Sequence, residues 1–194
     1  MDKKVVIGII AIVGIIIIAS AFVAFNNDPK NEVPVTKKAE EIMPNVLKIL
    51  KDYSSSDADV VSYAMKTSGS PIAGAKSYAS QDFVSTYYLY TILWSKYTVS
   101  VQIYVFNTAE EAKNAYSNRA IVISGSTNVQ HAFDASFDWN DKNKYFDNGL
   151  ECRNGMSDWW WLLQEKNVYV EISANSSMVI DKLVRELYRN IEMG

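Results

Sequence analysis

Cysteine and histidine are nearly absent from this chain of 194 residues: Cys152 and His131 are the single representatives of each. One cysteine excludes an intramolecular disulfide, so the fold must rely on packing, for which twelve Tyr, seven Phe and five Trp supply large contact areas. One histidine means that any Ser-His-Asp or Cys-His pair would have to use His131. The alternation Val129, His131, Phe133, Ala135, Phe137 places it on an apolar strand face, where a histidine reads as a hydrogen-bonded core residue. A zinc site would need Cys152, His131 and carboxylates to converge, with none of the short ligand spacings that mark such sites. Cys152 alternates with Leu150 and reads as a small buried apolar group; the alternative is an exposed thiol that pairs between molecules. Internal repeats and low-complexity segments are missing too. No catalytic constellation emerges, and no cofactor is expected.

What is present begins with an apolar run. Val5 to Phe25 is 21 residues without a charge, preceded by Lys3 and Lys4 and followed by Asn26, Asn27 and Asp28. At ~1.5 Å per residue a helix of that length spans about 30 Å, the thickness of a bilayer's hydrocarbon core. The flanking charges put the N-terminus in the cytoplasm and the rest outside. The expectation is a single-pass signal-anchor in the cell membrane over 1–25, a linker over 26–35 containing Pro29 and Pro34, and an extracytoplasmic domain over 36–194. The competing reading is a signal peptide cleaved near Ala21, since Ala19-Ser20-Ala21 fits the small-x-small pattern. Phe22 to Phe25 continue the run past that cut and favour the anchor. Beyond Phe25 the chain carries 17 basic and 21 acidic side chains, a formal charge of −4, which argues against a nucleic-acid partner.

The periodicities predict helix, three strands, helix, about four strands, helix. Ile42, Val46, Leu50 and Tyr53 recur at helical spacing from Thr36 onward, with Pro44 either kinking the helix or separating its first turns. Asp59–Met65 is a short strand candidate, and Phe83–Trp94 a second, closed by a tight connection at Ser95-Lys96. Tyr97–Phe106 alternates strictly, the mark of a half-buried strand. Thr108 and Glu111 have capping-box spacing, followed by an apolar stripe of Ala109, Ala112 and Tyr116. Val129–Phe137, Leu150–Arg153, Met156–Gln164 and Val168–Ala174 read as strands, with Asn148-Gly149 and Asn154-Gly155 as turn dipeptides and Glu165-Lys166-Asn167 as a further turn. Ile180, Leu183, Val184, Leu187 and Ile191 form the stripe of a last helix. Tight turns imply antiparallel pairing. The fold class is α+β: a mostly antiparallel sheet with about three helices on one or both faces.

Three features are candidates for binding. Trp159-Trp160-Trp161 in a strand would put Trp160 on one face and its neighbours on the other, as core packing or as an aromatic platform for a protein, peptide or sugar. The Asp/Asn-rich stretch containing Asp138, Asn140 and Asp141 offers oxygen ligands to Ca²⁺, although its spacing does not fit an EF-hand and such residues also favour turns. Asn175-Ser176-Ser177 matches the N-glycosylation pattern. The reading that follows is a non-catalytic, membrane-tethered binding module. Its alternatives are a structural subunit of a membrane complex and a surface hydrolase using carboxylates such as Asp138, Asp141 and Glu151.

Overall fold

The alternation of Tyr97–Phe106 belongs to an inner strand of a seven-stranded antiparallel sheet. The computed structural model describes residues 33–53, 59–89, 93–134, 145–154, 158–175 and 180–193. Its elements are α1 (Ala39–Ile42), α2 (Val46–Tyr53), β1 (Asp59–Ser62), β2 (Ser77–Leu89), β3 (Leu93–Val105), α3 (Ala109–Ser126), β4 (Asn128–Asp134), β5 (Asn148–Asn154), β6 (Asp158–Glu165), β7 (Val168–Ala174) and α4 (Ile180–Glu192). The strand order is β1-β2-β3-β7-β6-β5-β4. After β3 the chain crosses one face of the sheet as α3 to the far edge. It then meanders back through β4, β5 and β6 until β7 docks on β3. The architecture is thus α+β, and among the described residues it has three helices of eight residues or more plus the one-turn α1.

The helices take both faces of the sheet. Val99, Val101, Ile103 and Val105 of β3 and Val168, Val170 and Ile172 of β7 bury their side chains on the first face, against Ile42, Val46 and Leu50 of α1–α2 and Leu183, Leu187 and Ile191 of α4. The opposite face packs Tyr104, Leu150, Cys152, Leu162 and Tyr169 against Ala112, Tyr116, Ala120 and Ile123 of α3. The capping box opens α3: Thr108 Oγ1 accepts from the Glu111 amide at 3.2 Å, and the Glu111 carboxylate accepts from the Thr108 amide at 3.1 Å. Ala109 is exposed, so the packed stripe starts at Ala112. Pro44 separates α1 from α2, and the Asn45 side chain caps α2 by accepting from the Lys48 amide at 3.1 Å.

Several boundaries differ from the sequence reading. Ser95-Lys96 is no turn but part of β3, where Ser95 pairs with Tyr87 and Lys96 with Thr86 of β2. β2 begins at Ser77, where Ala79 and Phe83 bury one face of a polar-looking segment. Asn148-Gly149 opens β5, opposite Gln164 and Leu163; the Asn148 side-chain Nδ2 donates to Gln164 Oε1, a partner that local sequence cannot announce. A register shift between Val129 and His131 breaks the single-face alternation expected along β4. Val35, placed at the end of the linker by sequence, is 4% exposed and packs in the first core.

Under α3 the second core carries polar groups. Arg119 reaches Glu171 of β7 with two nitrogens, at 2.7 and 3.1 Å, and the Tyr169 hydroxyl donates to the same carboxylate at 3.3 Å. Tyr104 stacks on Tyr169 with ring centroids 5.5 Å apart. Burial is the main cause that raises both phenols above their ordinary 10.0; Tyr78 and then Glu171 add for Tyr104, and Glu171 adds for Tyr169. The unfolded chain therefore releases these protons first. Stability present below the unfolded value of about 10 is lost as pH rises from there toward the folded values, at up to ~1.4 kcal/mol per pH unit for each phenol. Urea midpoints should hold level to about pH 9.5 and fall above it. The double variant Tyr104→Phe/Tyr169→Phe should flatten that fall; an unchanged fall would place the alkaline sensitivity elsewhere.

Candidate functional site

β-strand register sets the site. Asp82 of β2 stands opposite Ser100 of β3, Ser100 opposite Ser173 of β7, and Ser173 opposite Trp160 of β6. These four form one row across the sheet on the face that α3 covers further along, over β5, β6 and β7. Trp160 packs against the margin of the α3 core and stays half-exposed. Beside it the surface forms a groove of about 350 Å³. Its lining includes Trp160, Asp82, Val84, Thr98, Ser100, Asp158 and Ser173, with Trp159 and Asn175 at the same end of the strands. Thr98, Ser100 and Ser173 bring hydroxyls to the groove, Val84 and the tryptophans bring apolar surface, and Asp82 and Asp158 bring two exposed carboxylates.

The tryptophan string divides as alternation requires. Trp159 and Trp161 lie on the first face, stacked at 5.8 Å with an interplanar angle of 12°. Trp161 is 1% exposed and belongs to the core, while Trp159 is half-buried with the Arg153 guanidinium 4.9 Å from its ring centroid. Trp160 takes the other face and the groove. Asn175 follows β7 and extends its ladder: its amide donates to the Thr98 carbonyl at 3.3 Å, and its Oδ1 accepts from the Thr98 amide at 2.9 Å.

The other candidates do not converge there. Asp138, Asn140 and Asp141 lie outside the described residues, and among those described no group of three His, Cys, Asp or Glu gathers as a metal site. Glu151 is buried and pairs in register with Trp161 on one side and His131 on the other. Cys152 is a buried free thiol whose ionisation burial pushes up, opposed by a hydrogen bond with Thr127. Asp82, Asp158, Ser100 and Ser173 escaped the sequence reading, because each is an ordinary polar position of a strand and only the pairing of β2, β3, β7 and β6 makes them neighbours.

No protein-family model matches the sequence, and no curated protein matches it. Among solved structures the fold is similar to the extracellular domain of PknH from Mycobacterium tuberculosis, with a TM-score of 0.52 and 10% sequence identity over 84% of this chain and 99% of that chain. The likeness is one of fold.

Proposed function

We propose that this chain is a membrane-tethered, outward-facing domain that binds a ligand in the groove beside Trp160. The apolar run Val5 to Phe25 supports the tether, and the neighbouring fold's occurrence as an extracellular domain supports the outward orientation. The observation that carries the binding reading is the half-exposed indole of Trp160, which lines a surface groove together with two exposed carboxylates. A half-exposed indole beside exposed carboxylates and hydroxyls is a recognition surface rather than a core.

Trp160→Ala tests this. The full chain in nonionic detergent is screened by thermal shift against neutral sugars, short peptides and amines, alongside the variant. Compounds that raise the melting temperature of the parent should fail on the variant, which itself should melt within about 5 °C of the parent because Trp160 is only half-buried. Equal responses from both proteins, or a variant that unfolds outright, would remove Trp160 and its groove from the binding role.

A further inference from the structure

The lining of the groove also specifies the charge of its occupant. Asp82 and Asp158 bring two carboxylates to it, and among its described lining residues there is no Lys, Arg or His. An anionic ligand would find no counter-charge there and would face both acids. A wholly apolar ligand would match the aromatic and aliphatic part of the lining but would leave the two carboxylates and the hydroxyls of Thr98, Ser100 and Ser173 unanswered. A cation gains on three counts: attraction to the carboxylates, the indole face of Trp160, and hydroxyl oxygens that accept its N–H groups. The other side of the same sheet end already pairs these partners, with the Arg153 guanidinium over Trp159 at 4.9 Å. The formal charge of −4 beyond the apolar run adds long-range attraction of the same sign.

We propose that the groove between Trp160 and Asp82 binds a ligand bearing an ammonium or guanidinium group, with the cation at the Trp160–Asp158 end and the remainder of the ligand along the Ser100–Ser173 floor toward Asp82. This rests on the groove being the binding site, as proposed above. A volume of about 350 Å³ suits one lysine- or arginine-sized side chain with its flanking amides, or a small free amine, rather than a folded partner. The shared chemistry is the cationic head, supplied either by a peptide or by a free amine.

Isothermal titration of the full chain in nonionic detergent separates the possibilities. The probes are N-acetyl-lysine methylamide, its norleucine analogue, a short neutral peptide carrying one lysine, spermidine and a neutral disaccharide. The expected result is binding of the lysine probe, none of the norleucine analogue, and a loss of about tenfold in affinity between about 50 and 500 mM NaCl. Asp82→Asn and Asp158→Asn should each weaken the lysine probe by about tenfold without unfolding the exposed positions they occupy. Tighter binding of the lysine peptide than of spermidine would identify a peptide source, and the reverse a free amine. Salt-insensitive binding of the disaccharide or the norleucine analogue, lost in Trp160→Ala, would overturn the cation while leaving the groove a binding site. Lysine-probe binding unaffected by Trp160→Ala and by both Asp variants would overturn the cation and the groove together.

Discussion

Asn167→Ala should cost the domain about 3–4 kcal/mol, a large part of the ~5–15 kcal/mol that holds a domain of this kind folded. Asn167 is 1% exposed and occupies the two-residue turn between β6 and β7. Its Oδ1 accepts from the Val35 amide at 2.6 Å, and its Nδ2 donates to the Val35 carbonyl at 3.1 Å and to the Phe106 carbonyl at 2.7 Å. Its own carbonyl accepts from the Phe106 amide at 2.9 Å. One carboxamide thereby joins the chain's entry segment, the end of β3 and the β6–β7 turn. Alanine removes three hydrogen bonds and strands three backbone groups away from water, each at ~1 kcal/mol or more. The comparison Asn167→Asp is sharper. Aspartate still accepts from Val35 but turns a second oxygen toward two carbonyls, so it should be worse than alanine at pH 7 and recover as acid protonates it. Chemical denaturation followed by far-ultraviolet circular dichroism measures both. A loss under ~1 kcal/mol for alanine would mean that the entry segment is held by Val35 packing alone.

What was legible in the sequence was whatever depends on near neighbours. Tyr97–Phe106 alternates because one face of β3 lies under α1, α2 and α4. Thr108 and Glu111 announce α3 because a capping box is closed within four residues. The stripe of α4 reads correctly because Leu183, Val184, Leu187 and Ile191 bury together. The three strands before α3 and four after it match the topology. The failures share a cause. Ser95-Lys96 has turn composition, yet the pairing of β2 with β3 over thirteen positions extends both strands past it. Asn148-Gly149 has hairpin composition, yet a long-range amide partner, Gln164, keeps it in a buried strand. The site divides in the same way. Three consecutive tryptophans draw attention in any reading, while Asp82, Ser100 and Ser173 come from three strands and acquire meaning only through register.

Register also makes the three tryptophans unequal, and Trp161→Ala should show it with a loss of about 3–5 kcal/mol, or a melting temperature lower by roughly 10–15 °C. Trp161 is 1% exposed among the largest side chains of the first core, between its cross-strand neighbours Glu151 and Ile172. Truncation leaves a void the size of an indole and deprives Trp159 of the ring stacked on it at 5.8 Å. The sheet is fixed on both sides of the gap by β5 and β7, so it cannot collapse far to fill it. Trp161→Phe keeps a ring and should lose about half as much. Ligand binding by whatever fraction remains folded should be unchanged, because Trp161 faces away from the groove. Trp160→Ala carries the opposite signature, binding lost and stability largely kept. The two variants measured side by side separate core from recognition surface within one dipeptide. Equal stability losses would mean that Trp160 is as deeply packed as its neighbour, and equal binding losses that the indole reading the ligand is not the one in the groove.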